Sequence, residues 1–262
     1  MNGSQIRLTH LMDVKDGNSY IVAADHAFLM GPSRGTYNLA ETLDQVLLGT
    51  PDAILLSKGR AKLMSHIFQG PGSPALIIRA DWFSGPRLFS PHLPLSRIDK
   101  FLACSAEEAL SLGAEAMMVY CLASFSSEFD SLCYAQAAAA IRNCEAFGLP
   151  LIAEPLPGNP FMEDEDKNRV LIDSARMLED LGAAALKVPY VNEDGLRRLV
   201  KAVKIPVWVL GGDLESEEAV YQKASLQMAA GARGIVYGRN VIEAAKPANV
   251  SRNLYKIVHE EC

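Results

Sequence analysis

The chain writes the same joint three times: LGAEAMMV from Leu112, LGAAALKV from Leu181 and AGARGIVY from Ala230. In each, an amphipathic segment ends at a glycine, an alanine follows, and an apolar run begins within a few residues. A glycine just past a last helical turn closes the helix without a Cβ penalty, and a short glycine-containing loop is what a helix-to-strand joint requires. Recurrence of the joint predicts a repeated β/α unit.

Short β-type runs recur along the whole length: Tyr20 to Ala24, Ala53 to Leu56, Ala75 to Ile78, Ala116 to Cys121, Pro150 to Glu154, Ala183 to Val188, Val207 to Leu210 and Gly234 to Tyr237. That makes eight, the number a closed parallel barrel needs, in a chain of 262 residues, near the usual size of such a barrel. The runs lack clean alternation, as strands do when helices cover a parallel sheet. The fold class expected is therefore α/β, a (β/α)8 barrel of the TIM type, in one domain over 1–262. An open doubly wound sheet would need a glycine-rich dinucleotide turn after the first run, and AADHAFLMGP is not one.

Helical spacing fills the intervals. Ser105 to Leu112 opens with an N-cap serine and carries Glu108 three residues on, a capping-box pattern, with Gly113 after its last turn. Asp173 to Leu181 ends at Gly182 in the same way, and Ser216 to Ala230 at Gly231. Two stretches are rich in Pro and Gly, Gly70 to Pro74 and Ser84 to Pro94; the second is long enough to be a functional loop after the third strand.

A net charge of −6 argues against nucleic acid as the main partner, yet leaves room for a phosphorylated substrate in a locally positive pocket. No apolar run is long enough to cross a bilayer, and MNGSQIRLTHLMDVKDG has no apolar signal core. Cys104, Cys121, Cys133, Cys144 and Cys262 form no CxxC pair, so reduced thiols in a cytoplasmic protein are expected. No second histidine stands at ligand spacing from His26, so neither a metal nor a cofactor is called for.

Barrel active sites are built at the C-terminal ends of the strands. Lys187 lies within the sixth run, between Leu186 and Val188. If it faces the interior, desolvation favours a neutral, nucleophilic amine; if it lies at the strand end it snorkels to solvent, and the sequence leaves both open. Asp25 and His26 follow the first strand directly. Asp25 either points into the mouth, where it can orient a hydroxyl or help move protons, or closes a turn as a cap; His26 reads as a packed or hydrogen-bonding residue rather than a metal ligand, and is counted with the substrate- or phosphate-binding set. Glu154 ends the fifth strand among apolar residues and prolines, where partial burial suits a group that gives and takes a proton, and Lys187 is a natural ion-pair partner. Gly211 and Gly212 follow the seventh strand, and Gly238 and Arg239 the eighth, the recurring phosphate site of these barrels. Arg79 and Asp81 end the third strand and either pair together or contact the far end of a ligand; Lys58, after the second strand, is a weaker candidate of the same kind.

Taken in order, DH after the first strand, the lysine of GAxxxK with an aromatic shortly after, GG after the seventh strand and GRN after the eighth resemble the class I (Schiff-base) aldolases of the DeoC/FbaB/LacD superfamily, from about Tyr20 to about Leu254. The resemblance implies that Lys187 forms the Schiff base, that Asp25 is an active-site residue, and that Gly211, Gly212, Gly238 and Arg239 hold a phosphate. It also implies a homo-oligomer acting on a small phosphorylated sugar or keto substrate. The chain departs from the archaeal fructose-bisphosphate pattern after strand five, where Leu156 takes the place of the proton-carrying tyrosine and Gly158 that of an arginine. Glu154 instead matches the catalytic glutamate of the tagatose-bisphosphate and sulfosugar-phosphate branch, but Met117 and Met118 stand where that branch tends to have a lysine, and Ala27 replaces the glycine of DHG. The sequence is thus similar to an outlying member. The expected reaction is cleavage or formation of a carbon–carbon bond in a phosphorylated ketose by a lyase. Its rivals are lysine-dependent acyl or aldol transfer, thiolase- or transaldolase-like, and a non-catalytic sugar-phosphate-binding barrel.

Overall fold

The computed structural model describes residues 3–84, 99–159 and 161–259. Among the described residues ten strands run in chain order: β1 (Ser19–Ala23), β2 (Ala53–Ser57), β3 (Ala75–Arg79), β4 (Asp81–Phe83), β5 (Lys100–Leu102), β6 (Ala116–Ala123), β7 (Leu151–Pro157), β8 (Ala185–Val188), β9 (Val207–Leu210) and β10 (Gly234–Tyr237). Eight of them close a parallel barrel in the order β1-β10-β9-β8-β7-β6-β3-β2, while β4 and β5 form a separate antiparallel pair. The helices are α1 (Gly3–Thr9), α2 (His26–Met30), α3 (Leu39–Leu47), α4 (Lys58–Leu63), α5 (Ala106–Ser111), α6 (Ser127–Ala146), α7 (Asp164–Asp180), α8 (Glu193–Ala202), α9 (Glu217–Ala229), α10 (Arg239–Ile242) and α11 (Pro247–His259). This is the TIM-barrel architecture expected from the sequence.

The repeated joint behaves as its chemistry requires. Gly113, Gly182 and Gly231 follow α5, α7 and α9 at φ of +80°, +103° and +98°, a left-handed backbone that a Cβ would oppose. Ser105 caps α5 with a complete capping box, its hydroxyl accepting from Glu108 N while the Glu108 carboxylate accepts from Ser105 N.

Two apolar layers hold the barrel. Outside, alternate strand residues such as Tyr20, Val22, Ile54, Leu56 and Val119 pack under the helices. Inside, Ile21, Leu55, Ile77, Met118, Ile152, Ala185, Trp208 and Val236 fill the barrel, and Leu11, fully buried, closes its floor. Each large aliphatic side chain buried this way contributes roughly 1.5–3 kcal/mol. Because side chains alternate along a strand, the residue two places beyond each interior residue faces the mouth.

Cys104, Cys121, Cys133 and Cys144 are free and buried; Cys262 lies outside the described residues. Beyond Ser84, the expected functional loop also lies outside them. Among the described residues no helix is long and apolar enough to cross a membrane.

Candidate active site

Two places beyond Ile77, Ile152 and Ala185 stand Arg79, Glu154 and Lys187, so strand alternation aims one cation, one carboxylate and one amine into the same layer of the barrel. Lys187 faces the interior and is 5% exposed, which settles the alternative of a snorkelling lysine. Its Nζ stands 2.9 Å from Glu154 Oε1. The other carboxylate oxygen, Oε2, accepts from Arg79 Nη2 at 2.5 Å, and Arg79 Nε donates to Asp25 Oδ2 at 2.7 Å.

Behind this layer, Asp81 Oδ2 is 3.1 Å from Lys100 Nζ and accepts from Tyr120 N at 2.8 Å, with Oδ1 3.7 Å from Arg79 Nη1. Three cations, Arg79, Lys100 and Lys187, thus face three carboxylates, Asp25, Asp81 and Glu154, all buried. Such clusters cost several kcal/mol per ion in lost hydration, repaid only through close pairing. Stability alone does not explain one.

The electrostatics follow from that balance. Burial pushes the Asp25 carboxyl up, but Arg79, His26 and Lys187 outweigh it and hold the group below its ordinary value. At Asp81 burial prevails over Lys100 and Arg79, and the pKa is raised. Burial moves His26 below its ordinary 6.5, so the ring is neutral near pH 7. The Tyr120 phenol is pushed far up, first by burial, then by Glu154, Asp25 and Asp81, against the pull of Arg79, and remains protonated.

A cavity of about 310 Å³ opens above the layer. Lys187, Glu154, His26, Gly211, Gly212, Gly238 and Arg239 all line it. Gly238 is demanded by close approach: a Cβ there would lie 2.0 Å from His26 Cε1. Neither Gly212 nor Gly238 gives its backbone N–H to a backbone acceptor among the described residues. Arg239 Nη2 donates to Gly212 O at 3.2 Å and Asp213 Oδ1 at 3.0 Å. A wider hollow of about 620 Å³ lies between α9 and α11, lined by Tyr221, Leu226 and Lys256, away from the strand ends and their buried charges.

Several expectations change. Of the two readings of Arg79 and Asp81, pairing holds, Arg79 Nη1 standing 3.7 Å from Asp81 Oδ1; with no exposed surface and outside the cavity wall, Arg79 bridges Asp25 and Glu154 rather than facing a ligand. Asp25 is 3% exposed, is not among the residues that line the cavity and makes no side-chain cap on α2; its Oδ2 accepts from Arg79 Nε. Asp81 is equally enclosed, and Lys58 pairs with Glu108 of α5 away from the cavity. Tyr120 was missed. It is opposite Glu154 in register, lines the cavity, and lays its ring 3.8 Å from Arg79 Cζ. Its position two places beyond Met118 was the available signal.

A parallel barrel with an enclosed amine at the mouth of its sixth barrel strand defines a class of fold and site that comparison with known proteins makes specific. Residues 19–244 match the DeoC/LacD family of aldolases, and the chain belongs to that family. An uncharacterized aldolase of Saccharolobus solfataricus is 28% identical, the match covering 99% of this chain and 96% of that protein. The 2-amino-3,7-dideoxy-D-threo-hept-6-ulosonate synthase 1 of Archaeoglobus fulgidus is 29% identical, over 99% of this chain and 92% of that one. Among solved structures, an archaeal fructose-1,6-bisphosphate aldolase with its catalytic lysine covalently bound to the carbinolamine intermediate superposes with a TM-score of 0.80 at 25% identity, over 97% of this chain and 98% of that one.

Proposed function

We propose that the protein is a class I aldolase that cleaves or forms a carbon–carbon bond in a phosphorylated ketose through a Schiff base on Lys187. The observation that carries this reading is the enclosed Lys187 amine, 2.9 Å from a carboxylate and open to the cavity. Glu154 Oε1 is placed to accept the ammonium proton, and the neutral amine then attacks the substrate ketone. Glu154 returns that proton to the carbinolamine hydroxyl, which leaves as water, so that an iminium and an ionised Glu154 remain. In the cleavage direction the β-hydroxyl loses its proton to Glu154 as the carbon–carbon bond breaks. The bonding electrons move into the iminium to give an enamine, and the aldehyde departs. Protonation of the enamine carbon and addition of water then release the ketone and restore the amine.

The charge cluster suits this cycle. The iminium keeps the positive charge of Lys187, so the three-against-three balance persists through the covalent intermediate. Arg79, held by Asp25, fixes Glu154 so that its free edge points at the amine. At the opposite end the phosphate would accept from the N–H groups of Gly212 and Gly238 and from Arg239. Arg239 gives up a hydrogen bond to Gly212 O and a contact to the almost fully exposed Asp213, the latter a pair of small worth. Binding energy from the phosphate then aligns the reacting carbons.

Borohydride reduction tests the reading. Wild-type protein incubated with ketose phosphates and borohydride gains the mass of the reduced adduct on the peptide containing Lys187, and Lys187→Arg gains none. Absence of an adduct from wild-type protein across the ketose phosphates would overturn it.

A further inference from the structure

The cavity has two unlike ends. Around the closed barrel β9 is four strands from β3, and β10 four strands from β6, so the glycine turns face the far wall across the mouth. That far wall is apolar and aromatic. Phe83, carried by β4 just after β3, and Tyr120 of β6 line it with ring centroids 5.7 Å apart, and Phe129 supports Phe83 at 6.3 Å. Leu156 of β7 completes it, at the position two beyond Glu154.

Charge is distributed as unevenly as polarity. Among the described residues lining the cavity, the cations are Lys187 and Arg239, one at the reacting carbon and one at the glycine turns. His26 is neutral near pH 7 because burial lowers its pKa. Arg79 and Lys100 lie behind the far wall with fully enclosed side chains, Arg79 held by Asp25 and Glu154, Lys100 by Asp81 and Gln136 Oε1 at 3.0 Å. Among the described residues, a phosphate dianion at Phe83, Tyr120 and Leu156 would lose hydration without gaining a counter-charge, and would approach the Glu154 carboxylate.

We propose that the substrate carries a single phosphate, at the glycine turns, and that the carbons released as aldehyde form an uncharged group packed on Phe83, Tyr120 and Leu156. Phe83 and Leu156 are then the residues that determine specificity. The proposal rests on the Schiff-base reading above and narrows its substrate class to ketose monophosphates with an uncharged tail.

A matched pair of probes separates the two ideas. Fructose 1-phosphate and fructose 1,6-bisphosphate differ in charge at the far end alone. Each is titrated against full-length protein, and the rate of borohydride-trapped adduct on Lys187 is read by intact mass. The monophosphate should be trapped at lower concentration, with an efficiency about tenfold or more above the bisphosphate, the scale of discrimination a site without a matching polar partner achieves. Equal or better trapping of the bisphosphate overturns the proposal and leaves the Schiff base standing. No adduct from either sugar, nor from the wider set of ketose phosphates in the borohydride test above, overturns the Schiff-base reading and this proposal with it. Leu156→Arg supplies a cation at the far wall: the ratio should move toward the bisphosphate, whereas a variant that is only damaged loses both adducts in proportion. An unchanged ratio in a folded Leu156→Arg protein counts against the assignment of the far wall.

Discussion

At the scale of single residues, Tyr120 is where the site departs furthest from what the motifs imply. Leu156 takes the place where the archaeal pattern has its proton-carrying tyrosine, while Tyr120 brings a phenol to the cavity from the neighbouring strand, opposite Glu154. Both Glu154 oxygens are already engaged, one by Arg79 and one by Lys187. After cleavage the proposed cycle leaves the β-hydroxyl proton on Glu154; if the Tyr120 phenol, kept protonated because burial raises its pKa, delivers a proton to the enamine carbon, Glu154 can return that proton to it. Tyr120→Phe keeps the ring on the Arg79 guanidinium and removes only the hydroxyl. Turnover should then fall about a hundredfold or more, the usual worth of positioned acid–base groups, with a much smaller change in KM. Steady-state rates on the best ketose phosphate check this, and an unchanged kcat would confine Tyr120 to packing. Lys187, Glu154 and the glycine turns were legible in the sequence because each stands beside a strand end with a chemistry that stands out. Arg79 and Asp25 were legible as polar positions but not as partners, since Arg79 and Asp25 are 54 residues apart and meet only when β1 and β3 share a barrel.

At the scale of elements, the repeated joint fixed helix ends and strand starts, while β6 and β7 ran past the expected boundaries, to Ala123 and Pro157. Those extra residues pair with one another up to Ala123↔Pro157, an interaction between distant segments that no local pattern announces. The β4–β5 pair was invisible for the same reason: three residues on each side, joined across register Asp81↔Leu102, bring Lys100 under the site. The turn from β10 into α10 shows how strictly an element end can depend on one residue. A Cβ on Gly238 would meet His26 Cε1 at 2.0 Å and Ala23 O at 2.9 Å, so the ring or the turn must move. In Gly238→Ala the N–H groups of the turn lose their aim, and one charge-assisted hydrogen bond is worth about 1.5–3 kcal/mol, so affinity for a ketose phosphate should fall about tenfold or more. Gly59→Ala in α4, where a Cβ meets nothing within 4 Å, is the control and should leave affinity unchanged. Equilibrium binding of the phosphate ester to both variants decides it.

At the scale of the whole molecule, closure of the barrel depends on how the last helix is tied to the first strands. α11 packs against α3 and α9; its Ser251 hydroxyl donates to Val46 O at 2.9 Å and accepts from Tyr20 Oη at 3.2 Å. Asn18 Nδ2 donates to Val258 O at 3.0 Å. Beside that bond His259, its side chain 5% exposed, places Nδ1 2.9 Å from Asp16 Oδ2 and Nε2 3.0 Å from Asp52 Oδ2, with the Tyr255 ring against its face. Two carboxylates accepting at once require both ring nitrogens to carry protons, so the clasp is made by the imidazolium. Burial works against that charge, but the hydrogen bonds from the two aspartates prevail and the His259 pKa is raised above its ordinary 6.5. The folded chain therefore binds this proton more tightly than the unfolded chain does. The stability it contributes is fully present below pH 6.5 and is lost as the pH rises through the raised folded value, above which both states are neutral and the curve flattens. His259→Gln can still donate but cannot be charged. It should lower stability by about 1–3 kcal/mol at the acid end of that window, and by less at the alkaline end. The melting temperature of wild-type protein should accordingly fall from pH 6 to pH 9 more steeply than that of the variant, by chemical or thermal denaturation at fixed ionic strength. Parallel curves for the two proteins would mean that the ring is neutral in the clasp and that the helix is held by packing alone.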